Sequence, residues 1–247
     1  MVDTRRRMSP ALLFSRPPGE CASRDRLAAR GSLTAAALAI ALAGGCGSGH
    51  GAREHTAAIA QSPATAAEVS SLLAGIRQQG STLGDPKAPV RLEYFGDLQC
   101  PFCRRFTLLV LPSLIQRYVR SGELKIEYRS LETATHNTET FRVQQIAALA
   151  AGEQNKMWNF IDLFYHEQSR ENSGYVTERY LQGLAQQVPG LDLIGWTAAR
   201  SDPELARRLA SDARTALAAN LNGTPSFLVD NPRHAAYVTA IEKLLRS

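Results

Sequence analysis

Cysteine is scarce in this chain, which has four cysteines among 247 residues, at positions 21, 46, 100 and 103. Exported domains that depend on disulfides for their stability carry many more, so a disulfide-stapled scaffold is excluded. A zinc site built from two Cys-x-x-Cys pairs is also excluded, because only positions 100 and 103 have this spacing. The sequence therefore predicts no metal site, and nothing in it calls for a cofactor.

The chain also lacks an excess of charge once its first residues are set aside. It has 28 Lys and Arg against 23 Asp and Glu, a formal charge of +5. Residues 1–45 hold seven of the basic and three of the acidic residues, so the remainder has a formal charge of +1. A nearly neutral protein offers no basic patch to a polyanion, so nucleic acid is not a predicted partner.

The apolar run at residues 33–43 is too short to span a bilayer as a helix. It follows an arginine-rich stretch and ends in small residues, which is the pattern of an export signal. We therefore predict an export signal peptide in residues 1–45, with Cys21 inside the discarded part, and an extracytoplasmic location. The alternative is a buried core helix.

Cys46 follows this run. Leu42-Ala43-Gly44-Gly45-Cys46 resembles the lipobox of bacterial lipoproteins, although Ala43 stands where Leu is usual. The resemblance implies a lipid anchor on Cys46 that holds the protein at the cell membrane; the alternative is a soluble secreted protein. Residues 46–80 are rich in Gly, Ala, Ser, Thr and Gln, which predicts a flexible tether with a short helix near residues 66–78.

The rest of the chain has patterns that predict an α/β fold. Strands are predicted at residues 89–95, 124–130 and 226–229. Helices are predicted over residues 104–120, with a kink at Pro112, and from Thr138, Met157, Thr177, Leu191, Pro203 and Tyr237. A single mixed sheet with a helical insertion explains this order, because the segments that flank the helical block are too small to fold separately.

The motif Cys100-Pro101-Phe102-Cys103 lies between a predicted strand and a predicted helix. At a helix start, the first sulfur lies beside unpaired backbone N–H groups and the positive end of the helix dipole, which stabilise its thiolate. The second sulfur, one turn further on, can attack a mixed disulfide and release a client. We predict Cys100 as the nucleophile and Cys103 as the resolving thiol. The alternatives are a structural disulfide and half of a metal site.

Thr224-Pro225 precedes the last predicted strand, and spacing alone indicates an ordinary proline at a strand start. Three segments taken together, however, resemble the DsbA-like branch of the thioredoxin superfamily: residues 83–90, 95–103 and 223–227. Residues 157–164 also resemble a helix of its inserted domain. The resemblance covers roughly residues 81–247.

This resemblance implies a thioredoxin fold with an inserted helical domain. The expected boundaries are residues 81–137 and 216–247 for the two parts of the thioredoxin fold and residues 138–215 for the insertion. The resemblance also implies that Pro225 is cis and faces the active-site disulfide. Thr224 would then offer backbone hydrogen bonds to an extended client.

The chain departs from the family in two places. Many relatives have a buried Glu six positions before the first cysteine, where this chain has Tyr94. Glu93 is expected to point to the other face of the strand, so Asp97 is a candidate to handle the proton of Cys103. Relatives also follow the cis-proline strand with a hairpin and another strand; here residues 230–234 lead almost directly into a predicted helix, which predicts an exposed sheet edge.

Motif and resemblance together predict an extracytoplasmic thiol–disulfide oxidoreductase. The compartment favours a dithiol oxidase that introduces disulfides into exported proteins with thiols and is reoxidised by a membrane redox partner. A monomer is predicted, because no dimerisation domain is visible in residues 47–80. The alternatives are a disulfide reductase or isomerase, and a non-catalytic binding lipoprotein with a structural disulfide.

Overall fold

The computed structural model describes residues 63–230 and Thr239. Outside these residues lie the predicted export signal, the predicted lipidation site Cys46, the first part of the predicted tether and, apart from Thr239, the predicted last helix from Tyr237. None of the helices in the described part of the chain is long and apolar enough to cross a membrane.

The described residues form one mixed sheet of five strands. The strands are β1 (Gln78–Gln79), β2 (Thr82–Leu83), β3 (Val90–Gly96), β4 (Leu124–Ser130) and β5 (Ser226–Val229). Their order is β1-β2-β4-β3-β5, with β3 parallel to β4 and the other neighbours antiparallel. The three strands predicted from the sequence are confirmed.

The pairing of β3 with β5 places two distant parts of the chain together. Tyr94 is in register with Phe227, and Phe95 with Ser226. The residues just before β5 therefore lie beside the end of β3, from which the chain enters the CPFC motif. Residues 231–238, on which the predicted exposed edge depends, lie outside the described part of the chain.

The helix after the motif is irregular. It consists of α2 (Pro101–Arg105), a π-helical segment (Phe106–Val110), α3 (Leu111–Leu114) and a second π-helical segment (Ile115–Val119). Pro112, the predicted kink, lies between the two π-helical segments, where its missing N–H removes one helical hydrogen bond. Wider turns change which side chains share a face, so Leu109, which has the spacing of the apolar face in an ordinary α-helix, is 67% exposed.

A block of helices separates β4 from β5. It comprises α4 (Thr138–Glu153), α5 (Met157–His166), α6 (Glu178–Gln187), α7 (Leu193–Ala199) and α8 (Pro203–Ala218). The fold class, a thioredoxin fold with an inserted helical domain, is thus confirmed. The core of the block includes Trp158 and Trp196, whose indole N–H groups donate to the carbonyls of Ser81 and Ala147.

The helix predicted from Thr138 begins at that residue, but Thr138 is not its cap. The N-cap is Asn137, whose side chain accepts a hydrogen bond from the N–H of Thr140, as amides commonly do at this position. In α8, Leu217 is 78% exposed, so not every apolar residue of that helix faces the core.

The end of the predicted tether is folded. Helix α1 (Pro63–Leu73) buries Val69 and Leu73 in the core, and β1 and β2 form an antiparallel pair that extends the sheet. The predicted short helix near residues 66–78 is therefore present and begins earlier. Composition alone did not predict that this segment is folded, because an alanine-rich sequence is found both in linkers and in helices.

Candidate redox-active site

The CPFC motif begins at the point where the chain turns from β3 into α2. Cys100 is the N-cap residue of α2, with φ −71° and ψ 121°, and Pro101 occupies the first turn, where its lack of an N–H costs nothing. The backbone N–H of Cys103 donates to the Sγ of Cys100 at 3.4 Å. The predicted position of the first sulfur at a helix start is therefore observed.

The two sulfurs have opposite acid–base properties. Both residues are free thiols and buried, with Cys100 3% exposed and Cys103 fully enclosed. A hydrogen bond from the Cys103 thiol, helped by the Thr224 hydroxyl and the N–H groups of Cys103 and Phe102, lowers the pKa of Cys100 from 9.0 to about 7 against the effect of burial. Burial raises the pKa of Cys103 well above 9.0. Cys100 is therefore the sulfur that ionises first.

The loop before β5 closes over Cys100. The Thr224–Pro225 peptide bond is cis, as the family resemblance implied. The Cys100 thiol donates to the backbone carbonyl of Thr224 at 3.3 Å. Phe102, between the two cysteines, is 63% exposed and so presents an apolar ring to solvent next to Cys100.

Asp97 is fully buried three residues before Cys100. Its carboxyl oxygens accept hydrogen bonds from the backbone N–H groups of Gln99, Thr133, Ala134 and Thr135, the hydroxyl of Thr135 and the side-chain amide of Gln144. The Asp97 group that hydrogen-bonds to Cys103 belongs to the backbone. The carboxyl group thus organises the loop between β4 and α4, and the hypothesis that it handles the proton of Cys103 is not supported.

Tyr94 occupies the position where many relatives have a buried Glu. Its ring stacks on Phe227 and packs against Phe106, and its hydroxyl lies 3.3 Å from that of Tyr165. Burial, and then the proximity of Cys103, raises the pKa of Tyr94 well above 10.0. A neutral phenol therefore replaces an acid beneath the cysteine pair.

Glu93, as predicted, lies on the other face of the strand. It forms ion pairs with Arg91 and Arg129 at 2.8 and 3.3 Å. Arg129 also pairs with Asp212 of α8 at 3.0 Å, so this charged cluster joins the back of the sheet to the helical block. Glu93 is thereby committed to a contact remote from the sulfurs.

The sequence analysis missed several residues around the site. Gln168 donates to the carbonyls of Leu98 and Cys100 at 2.7 and 3.2 Å and so fixes the backbone before α2. The Thr133 hydroxyl lies 2.5 Å from the Thr224 hydroxyl. Both contacts join segments distant in sequence, and no local pattern marks them. Among the described residues, no cluster of His, Cys, Asp or Glu is arranged to hold a metal.

In this fold, β3 leads into a Cys-x-x-Cys pair at the start of α2, and the loop before β5 lies beside that pair. These features together are those of a DsbA-like thiol–disulfide oxidoreductase. The chain belongs to the thioredoxin family: the family model described as Thioredoxin matches residues 77–245.

Similar proteins agree with this assignment. The chain is 26% identical over 176 residues to a "Probable disulfide bond formation protein D" of Bacillus anthracis. The alignment covers 67% of this chain and 78% of that protein. It superposes on oxidised BdbD of Bacillus subtilis with a TM-score of 0.56 at 20% identity, over 69% of this chain and 97% of that one. A thioredoxin-like oxidoreductase of Silicibacter pomeroyi matches with a TM-score of 0.51 at 26% identity, over 66% and 91% of the two chains.

Proposed function

We propose that the protein is an extracytoplasmic dithiol oxidase that introduces disulfides into exported proteins through Cys100 and Cys103. The observation that carries the proposal is the opposite behaviour of the two thiols: the pKa of Cys100 is lowered to about 7, and that of Cys103 is raised. A stabilised Cys100 thiolate favours the reduced enzyme and makes Cys100 the reactive sulfur. A pKa of about 7 is also found in reducing proteins with this motif, so the oxidising direction rests on the predicted extracytoplasmic compartment, where disulfides persist.

The reaction proceeds by two exchanges. A client thiolate attacks the Sγ of Cys100 in the enzyme disulfide; the S–S bond breaks, and Cys103 leaves as a thiolate and takes up a proton. A second client thiolate then attacks the client sulfur of the mixed disulfide, and Cys100 leaves as a thiolate. The client loses two electrons and the enzyme gains them as a dithiol. The low pKa of Cys100 makes it the better leaving group in the second exchange.

The backbone around the cis-proline is the proposed docking edge for the client. Thr224 and Pro225 lie directly beside Cys100, and an extended client segment can hydrogen-bond to the backbone of Thr224 there. The exposed ring of Phe102 offers an apolar contact to a client next to Cys100. A membrane redox partner is proposed to reoxidise the dithiol, and the enzyme is proposed to act as a monomer.

The reduction potential tests the direction of the chemistry. The full chain carrying Cys21→Ser and Cys46→Ser is equilibrated with glutathione buffers, so that only the CPFC pair titrates. A potential well above about −200 mV supports an oxidase, because the disulfide is then unstable relative to the dithiol. A potential near or below about −270 mV would overturn this direction in favour of a reductase or a structural disulfide.

Membrane anchoring through Cys46 is a separate part of the proposal. It is supported by the lipobox-like residues before Cys46 and by the apolar run that precedes them. Bacteria expressing the full chain are fed a labelled fatty acid, and the protein is then isolated from the membrane and soluble fractions. Label on the wild type and none on Cys46→Ser supports the anchor; an unlabelled, soluble wild type favours secretion.

A further inference from the structure

Two hydroxyl groups meet beside Cys100. Thr133, in the loop between β4 and α4, has its Oγ1 2.5 Å from the Oγ1 of Thr224, and either oxygen can be the donor. The two residues are 91 positions apart in the chain and both are partly buried. A contact this short between two loops fixes how each hydroxyl can direct its single proton.

Thr133 is held firmly in place. Its N–H and those of the next two residues all donate to the buried Oδ2 of Asp97, at 3.1, 2.9 and 2.8 Å. The loop is also fixed at its start, where the N–H of Leu131 donates to the carbonyl of Gly96 at 3.0 Å. The Thr133 hydroxyl therefore reaches Thr224 from a rigid base that also carries the CPFC motif.

The partners of Cys100 must change when its thiol ionises. As a thiol, Cys100 donates to the carbonyl oxygen of Thr224 at 3.3 Å. A thiolate has no proton to donate, so that carbonyl becomes a repulsive neighbour. The hydroxyl of Thr224 lowers the pKa of both Cys100 and Cys103 by hydrogen bonding. The Thr224 hydroxyl has one proton, so it can donate that proton to sulfur only when the Thr133 hydroxyl is the donor between the two threonines.

We propose that Thr133 is a positioning residue for the reactive thiolate: its hydroxyl donates to the Oγ1 of Thr224 and thereby turns the Thr224 proton toward the Sγ of Cys100. The inference rests on the proposed role of Cys100 as nucleophile. It adds a third segment of the chain, the loop after β4, to the groups that set the reactivity of the site.

The test is the pH midpoint of Cys100 ionisation, followed by the ultraviolet absorbance of the thiolate and by the rate of alkylation. The full chain with Cys21→Ser and Cys46→Ser serves as background. Thr133→Val removes the hydroxyl without changing the side-chain volume, and we expect the midpoint to rise by about 0.5 of a pH unit. Thr133→Ser restores the donor and returns the midpoint to that of the background protein. Thr215→Val, at a partly exposed position on α8 where the hydroxyl bonds only to the carbonyl of Ser211 in the same helix, is the matched control and leaves the midpoint unchanged.

A double-mutant cycle separates this role from general loop damage. If Thr133 acts through Thr224, Thr133→Val has no effect on the midpoint in a Thr224→Val background. An unchanged or lowered midpoint in Thr133→Val, or an equal effect in both backgrounds, overturns the inference. The proposed function fails differently: there the background protein itself shows no thiolate that titrates near pH 7.

Discussion

The Sγ of Cys100 lies 3.3 Å from the backbone carbonyl oxygen of Thr224, although 124 positions separate the two residues. The contact depends on the antiparallel pairing of β3 with β5, which brings the loop before β5 to the end of β3. The surroundings of the sulfur are therefore completed only when the chain on both sides of the helical block has folded into one sheet.

Exchange of either cysteine is expected to have a distinct effect. Cys100→Ser abolishes the oxidation of a reduced client peptide, because the sulfur that the client attacks is lost. Cys103→Ser cannot form the enzyme disulfide and is also inactive in this assay. Its Cys100 thiolate can still attack a disulfide-bonded client, and mixed disulfides accumulate because no second enzyme thiol resolves them. Non-reducing gel electrophoresis of both variants measures this, with Cys46→Ser as the control. Equal trapping by Cys100→Ser would contradict the assigned roles.

The reduced protein is expected to gain stability with rising pH relative to Cys100→Ser. The pKa of Cys100 is 9.0 in an unfolded chain and about 7 in the fold, so the folded state favours the thiolate. This stability is fully present above about pH 9 and is lost as the pH falls through about 7, with a total of about 3 kcal/mol. Denaturant unfolding of both proteins under reducing conditions at several pH values measures it. A stability difference that does not vary with pH would refute the lowered pKa.

Asp97→Ala is expected to destabilise the fold by about 3 kcal/mol or more, because it leaves three consecutive loop N–H groups without an acceptor. Asp97→Asn retains one side-chain oxygen for these groups and costs about half as much. Urea unfolding of the two variants and the wild type gives the order. If Ala and Asn were equally destabilising, the loop N–H groups would not be the source of the loss.

Asp162→Asn is expected to stabilise the protein at alkaline pH. Asp162 on α5 is buried, its Oδ2 has no hydrogen-bond partner, and its Oδ1 lies 3.6 Å from the Nε2 of His166. Burial lowers the pKa of His166, so this imidazole is neutral at alkaline pH and does not offset the carboxylate. Burial raises its pKa from 3.8 to about 7, so the wild type loses stability as the pH rises through that range. The variant escapes a loss of about 4 kcal/mol above pH 7 and gains nothing near pH 4.

Thermal unfolding at both pH values checks the Asp162 prediction. Glu171→Gln, at an exposed position, is the control and leaves stability unchanged at both values. A gain of the same size in acid and in alkali would show that the Asn side chain acts by packing and not by removing a buried charge.

Phe102→His is expected to make the site more oxidising. The position is 63% exposed, so the exchange leaves the core intact. A protonated imidazole beside Cys100 stabilises its thiolate, which lowers the pKa of Cys100 and raises the reduction potential. Glutathione equilibration measures the potential, and Leu109→His, also on an exposed position of the same helix, is the control. An unchanged potential in Phe102→His would contradict the electrostatic argument.

The sequence predicted the parts of the fold that depend on local patterns. Alternating apolar residues located β3 and β4, and the position of Cys100 between strand and helix predicted its place at a helix start. The exposure of Leu109 was not predicted, because π-helical turns break the ordinary helical period. Asp97 was named from the sequence, but in the wrong role, because the loop N–H groups that it binds are brought to it only by tertiary folding. Thr133 was missed altogether, since a hydrogen bond across 91 positions leaves no local signal.

The deep position of Cys100, with 3% of its surface exposed, also bears on which clients the protein can serve. We expect a cysteine on a loose, extended segment to reach so buried a sulfur more readily than one fixed on the surface of a folded globule. We expect the protein to sense the folding state of a client instead of its amino-acid sequence. Its activity toward each client would then end when that client folds, so thiol–disulfide exchange would be confined to chains that have not yet folded.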